Sequence, residues 1–389
     1  MRKVLFFVEG FTDIRFVTGL SQISDLTLCV PARAYAASGL KERVAASGAR
    51  LQVHEIPGGR MAFQARSLAW LWEHAPAFDV IISQEVLRGS LNATLTGKIR
   101  GTPVITYMGI APIEYFRCRR ERNQIGALAA WAGESVIRAL MTVNGRLATR
   151  CLAMGPYLRD VAAEYCPRSE VGLYYGVDTD VFTPADSAER LALRARRNLP
   201  SDRFVIFLSS RISHEKDPET VLRATALARK QGLDAVVVNL GGGFKDFLKL
   251  ADELRLENTS TWVIGRPAAH PVTEVADYFR AADVMALASL AEGAAYSTLE
   301  ALACATPVVA TDIGGMAVQL KGMAQLTPKR DADAMAEAFL WIARHPDEAR
   351  AQARLGRQMV QRDWSREKAF RDLARTIEAV LVGHQRRAA

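Results

Sequence analysis

The sequence predicts an α/β protein of two doubly wound parallel-sheet domains that face each other across a cleft. Three observations carry this. Short apolar runs alternate with helix-like stretches along most of the chain, the pattern of parallel strands joined by helical crossovers. The 389 residues exceed what one ordinary core holds. A polar, basic stretch from Thr183 to Arg203, with Pro184 and Pro200 near its ends, divides the runs into two series.

In the first series the strand candidates are 4–8, 26–30, 51–54, 80–83, 104–107, 150–154 and 171–174. In the second they are 205–209, 235–239, 261–264, 284–286, 307–310 and 323–326. The division gives a first domain over 1–184, a linker over 185–202 and a second domain over 203–362, with a terminal segment 363–389. In that segment Phe370, Leu373, Ile377, Val380 and Leu381 fall at helical spacing, so a helix over 365–382 needs a surface to bury against. No internal repeat or low-complexity tract interrupts the pattern.

Composition narrows the class. Hydrophobic residues at 49% and charged residues at 24% describe a globular protein, not a disordered one. No run approaches the roughly 18 apolar residues that a membrane span needs. The apolar run at 4–8 is too short for a signal-peptide core and meets Glu9, so a cytoplasmic location is expected. Five cysteines, odd in number and far apart, form no C-x-x-C pair, which suits reduced thiols. A net charge of +8 favours an anionic partner: a nucleotide, a phospholipid surface or a nucleic acid.

The segments that could carry chemistry lie in the second half. The run from Phe204 to Leu208 leads into a loop with Arg211 and Lys216, and Asp217 then reads as an N-cap with Pro218 at the first helical position. Two cations before a helix N-terminus suit a diphosphate; a solvated basic turn is the plain alternative. Gly241-Gly242-Gly243 ends the next strand, and Gly265-Arg266 ends the one after; glycines there let a backbone approach a ligand, or simply turn. Glu292 lies in a loop and Glu300 in the first turn of a helix opening near Ser297. Two carboxylates beside backbone N–H groups suit a ligand rich in hydroxyls and carrying an anion. For Glu300 the alternative is an S-x-x-E capping box with Ser297. The triplets Asp178-Thr179-Asp180 and Asp331-Ala332-Asp333 are read as a turn and a helix cap rather than metal pairs. The six histidines, His270 among them, show no ligand spacing, and no serine or cysteine has a nucleophile-elbow setting.

Taken together, these segments resemble the retaining glycosyltransferases of family 4, which have the GT-B fold of two Rossmann-like domains. The stretches that carry the resemblance are Ser210-Arg211 with Lys216, Leu240 to Gly243, Val263 to Gly265, Ala282 to Val284, Glu292-Gly293 with Glu300 to Ala310, and Gly314-Gly315. Tyr175-Gly176-Val177-Asp178 with Phe182-Thr183-Pro184 also matches the end of the family's first domain. The resemblance covers the second domain well and the first loosely.

It implies a nucleotide-diphospho-sugar donor on the second domain and a saccharide or glycolipid acceptor, without a nucleic acid. Arg211 and Lys216 would bind the diphosphate, Glu300 the ribose hydroxyls, and Glu292 those of the transferred sugar. Backbone at Gly293, Ala294, Ala295 and Tyr296 would add donors, with Gly265 and Arg266 near the base and Gly241 and Gly10 completing the donor side. Transfer would proceed with retention, without a cofactor, a metal or a protein nucleophile. The terminal helix would cross back onto the first domain.

The departures fall mainly on the first domain. The run from Thr106 to Tyr115 holds no histidine where many members carry one after this strand, and Glu9-Gly10-Phe11 replaces a glycine pair. Val318 replaces a glutamate common after the Gly314-Gly315 pair. They leave open a protein of this fold that has lost catalysis, or an epimerase or hydrolase of the same fold. The basic, aromatic stretch 114–122 reads either as a peripheral contact with an anionic membrane or as a solvated helix face.

Overall fold

The computed structural model describes residues 1–123, 125–267 and 272–388, so His270 lies outside it. Among the described residues, thirteen strands form two all-parallel sheets. The first contains β1 (Lys3–Phe7), β2 (Asp25–Pro31), β3 (Leu51–Ile56), β4 (Val80–Ser83), β5 (Val104–Met108), β6 (Arg150–Ala153) and β7 (Ser169–Val171), in the order β3-β2-β1-β4-β5-β6-β7. The second contains β8 (Phe204–Leu208), β9 (Ala235–Leu240), β10 (Val263–Arg266), β11 (Val284–Leu287), β12 (Val308–Thr311) and β13 (Gln325–Thr327), in the order β10-β9-β8-β11-β12-β13. Both orders reverse beside their first strand. The crevices between β1 and β4 and between β8 and β11 are therefore topological switch points, where open α/β sheets hold ligands.

The central strands are buried on both faces, which explains why they read as continuous Val/Ile/Leu runs: β9 is buried at all six positions and β5 at all five. The chain divides into two compact units. Unit 1 takes the first sheet and the segment from Glu367 onward, while unit 2 takes the second sheet. The Arg366–Ala388 helix packs in unit 1, where Phe370, Leu373, Ile377, Val380 and Leu381 join the core of β1, β2 and β4. Gly19 makes room for it, since a methyl group there would fall 1.9 Å from the Phe370 ring.

Two organisational expectations need correction. The stretch 185–202 is not a linker. It holds the Ser187–Arg196 helix, capped by Asp186, whose carboxylate accepts from the Glu189 amide at 2.8 Å. One of the basic residues that suggested a linker, Arg194, is 4% exposed. Its guanidinium donates to the carbonyls of Ala281, Ser201 and Arg203 and to Asp283 at 2.6 Å. A charge so fully satisfied is a structural post, not a solvated one. Residues from Glu114 to Asn123, placed with the first domain by sequence order, group with unit 2 instead. There Tyr115 donates to Glu215 at 2.8 Å and Cys118 is buried.

Candidate functional site

The carboxyl edge of the second sheet gathers most of the predicted residues. The loop after β8 carries Arg211 and a short 3-10 turn, His214–Lys216. The loop after β11 carries Glu292. The two loops meet at the switch point: the Leu290 amide donates to the Glu215 carbonyl at 2.8 Å, and the Lys216 ammonium donates to Glu292 Oε2. This pair is largely shielded, with side chains 21% and 11% exposed. Ser289 Oγ donates to the same carboxylate oxygen at 3.3 Å.

Arg211 is placed differently. Its side chain is 72% exposed and its guanidinium lies 3.8 Å from Glu215, so this cation is held loosely beside the fixed one. Burial opposes the charge on Glu215, but donors from its own amide and Tyr115, with the Arg211 charge, hold its carboxyl below the ordinary range. Glu215 thus stays anionic and anchors both the loop and the Pro112–Asn123 helix.

The backbone around the site is tightly constrained. Gly241 faces the end of β8, where an added Cβ would lie 2.7 Å from the Ser210 carbonyl oxygen. Asn239 bridges the same strands, donating to the Leu208 and Ser210 carbonyls at 3.1 Å each. The Gly315 amide donates to the Glu292 carbonyl at 2.9 Å, and a Cβ on Gly315 would fall 1.8 Å from the Gly293 oxygen. That glycine is required by close approach, because the Gly314–Gln319 helix begins directly against the 292–293 loop.

The helix bearing Glu300 runs Tyr296–Ala303 and starts one residue earlier than expected. Ala295 holds the cap position without a side-chain bond, so Ser297 lies inside the helix and the S-x-x-E capping box does not form. Thr298 Oγ1 instead bonds the Ala295 carbonyl at 2.7 Å, and Gln319 reaches the same carbonyl at 3.3 Å. Glu300 is 7% exposed on this helix. Asp217 occupies its expected cap position in the left-handed region, φ 43°, and its carboxylate accepts from Thr220 Oγ1 at 2.6 Å rather than from a backbone amide. Gly265 and Arg266 end β10, two strands from β8, and the Arg266 carbonyl accepts from the Gly241 amide at 3.3 Å. Asp331 caps its helix at 2.9 Å, and Asp178 closes a turn onto the amides of residues 180 and 181 at 3.2 Å. Among the described residues no group of His, Cys, Asp or Glu is arranged to hold a metal ion.

Gly10 belongs to unit 1, in a cavity of about 480 Å³ at the β1–β4 switch point. The sequence reading missed what else lines it. Glu85, just past β4, faces Glu9, just past β1, and the two carboxyls share a hydrogen bond. The Gly89 amide donates to Glu85 at 2.6 Å, and Arg88 pairs with Glu9. Burial first, then the Glu9 charge, raise the Glu85 pKa. The signal that could have found this pair is an acidic residue at the carboxyl end of each of two strands flanking a switch point.

A raised carboxyl pKa makes the sign of the pH effect definite. Between its unfolded and folded pKa values the unfolded chain has released the proton that the folded chain retains, so stability falls as pH rises through that window. Glu85→Gln is expected to melt higher than wild type at about pH 8, with the difference shrinking toward about pH 5. A difference that does not change with pH would mean that Glu85 is ionised in the fold.

With this geometry in view, comparison with known proteins bears on the second unit. Residues 189–359 match the model of the glycosyl transferases group 1 family. Within the matched residues lie Arg211, Lys216, Glu292 and Glu300. D-inositol 3-phosphate glycosyltransferase of Mycobacterium tuberculosis is 39% identical over 151 residues, 38% of this chain and 30% of that protein. The match thus spans under a third of the length of these relatives. The Anabaena protein HepE, solved in complex with UDP, superposes with a TM-score of 0.76 at 16% identity, over 97% of this chain and all of that one. Sucrose-phosphate synthase from Thermosynechococcus elongatus gives 0.76 at 15% identity, over 98% of this chain and 100% of that one. These likenesses show the fold, a two-domain, Rossmann-like GT-B architecture whose second half holds the residues matched by the family model.

Proposed function

We propose that the protein transfers a sugar, with retention and without a metal, from a nucleotide-diphospho-sugar to a saccharide or glycolipid acceptor. The observation that carries this reading is the meeting of Lys216 and Glu292 at the β8–β11 switch point, inside the stretch that matches the group 1 family. A shielded ammonium beside an exposed guanidinium gives two cations where a leaving diphosphate gains charge. Glu292 orients the ammonium in the unliganded site and accepts from the hydroxyls of the transferred sugar when donor is bound. Glu300, buried one helix turn on, is assigned the ribose hydroxyls. The HepE complexes with UDP and with UDP-glucose support a uridine donor as the first to test.

A panel of UDP, GDP and ADP, each with thermal unfolding as readout, tests the reading. The matching nucleotide at about 100 times its Kd adds roughly 2.7 kcal/mol. For a chain of this size that raises the Tm of the donor-binding unit by several degrees. If none of the three shifts the transition, the donor assignment fails. Product analysis by NMR then reads the anomeric configuration, and an inverted product would remove the retaining course while leaving the transferase reading in place.

A further inference from the structure

The amino-terminal edge of the second sheet, opposite the loops of Lys216 and Glu292, carries a cavity of about 130 Å³. Four arginines line it: Arg190, Arg280, Arg350 and Arg354. Arg350 and Arg354 stand one turn apart on the Pro346–Met359 helix, and so share a face. Arg190 comes from the Ser187–Arg196 helix and Arg280 from the end of the Val272–Ala281 helix.

The nearby carboxylates are already engaged. Asp283 accepts from Arg190 at 3.3 Å and from Arg194 at 2.6 Å. Asp277 serves Arg197 at 2.7 Å and lies 3.9 Å from Arg280, which also pairs with Glu189. Among the described residues, Arg350 and Arg354 have no ion pair or hydrogen bond, and the buried Nε of Arg280 has no partner. Burial, followed by the charge of Arg350, lowers the Arg190 pKa, so these two guanidiniums feel each other. Arg350 and Arg354 thus add two like charges without counter-charges of their own, which costs stability, and guanidinium forks match the oxygens of phosphate. The volume lies below the roughly 300 Å³ at which pockets begin to take drug-sized ligands, so a nucleotide is too large and one tetrahedral oxyanion fits.

We propose that this cavity binds a phosphate-type oxyanion, free or as the terminal group of a phosphomonoester, through Arg190, Arg280, Arg350 and Arg354. The site is independent of the transferase reading, because it lies at the opposite sheet edge. Thermal unfolding of the full chain is measured with inorganic phosphate, with glycerol phosphate, and with sodium chloride at matched ionic strength. Phosphate at about ten times its Kd is expected to raise the Tm by about 2–4 °C beyond chloride. The same rise is expected in Lys216→Ala, whose defect lies at the other edge, and no rise in Arg350→Gln/Arg354→Gln. Without phosphate that double variant should melt at or above the wild-type temperature, because it removes repulsion and no bond. A shift with inorganic phosphate alone assigns the free ion, and a shift with both assigns phosphomonoesters as well. The proposal is overturned if phosphate acts no differently from chloride, if the double variant keeps the shift, or if Lys216→Ala loses it.

Discussion

Lys216→Ala is expected to lower turnover by about 10²–10³-fold, the size seen when one preorganised group that stabilises developing charge is removed. Two causes must be separated. The ammonium is 21% exposed and its loss strips Glu292, itself 11% exposed, of its only cationic partner among the described residues. Ser289 Oγ remains at 3.3 Å, so the stranded carboxylate is incompletely compensated. A stability loss of about 1–3 kcal/mol follows from that alone. The double variant Lys216→Ala/Glu292→Ala distinguishes the roles. Removing the stranded carboxylate should return much of the lost stability, yet turnover should stay low because the cation and the carboxylate assigned to the transferred sugar are then both missing. If turnover returned with stability, Lys216 would be only a brace for the loop.

Gly315→Ala is expected to damage donor binding through the backbone, without touching a charged group. The new methyl would lie 1.8 Å from the Gly293 carbonyl oxygen, far inside contact distance, and both atoms belong to main chain that cannot swing away. Either the Gly314–Gln319 helix or the 292–293 loop must move, and with it the bond from the Gly315 amide to Glu292 at 2.9 Å. Overpacking of this kind costs about 1–3 kcal/mol. A displaced Glu292 should also weaken nucleotide-sugar affinity by about tenfold or more, since a 1 Å misplacement suffices for effects of that order. Gly242→Ala is the control, because nothing lies within 4 Å of the position a Cβ would take there. Calorimetric titration on both variants decides the matter, and equal affinities would free the Gly293 loop from any part in donor binding.

The sequence revealed what depends on short range. The strands appeared as apolar runs because central parallel strands are buried on both faces, and the terminal helix appeared through the spacing of Phe370, Leu373 and Ile377. Arg211, Lys216, Glu292 and Glu300 were visible as residues at strand ends. What was not legible is that Lys216 meets Glu292, 76 positions away. That meeting requires β9 and β10 to lie on the far side of β8, so that β11 returns to its free edge, a fact of strand order and not of any local pattern. The local errors have local causes as well. Ser297 looks like a cap, yet the turn there is closed by Thr298 and Gln319 on the Ala295 carbonyl. Arg194 looks solvent-exposed, yet backbone carbonyls and Asp283 consume its donors. Glu85 was missed because its partner Glu9 follows a strand, β1, that only the sheet brings alongside β4.

The burial of Phe370 against Gly19 bears on how the molecule comes into being on the ribosome. Most of unit 1 precedes unit 2 along the chain, but its core lacks the ring of Phe370 and the side chains of Leu373, Ile377 and Val380 until these emerge. Nearly all of unit 2 is contiguous, from Val177 to Arg366, and has been made by then. At synthesis rates of about 5–20 residues per second, the earlier-made half must wait on the order of ten seconds or more with an open apolar face. The later-made half can close first. Unit 1 of the nascent chain is therefore open to chaperones until the segment from Glu367 onward has been made.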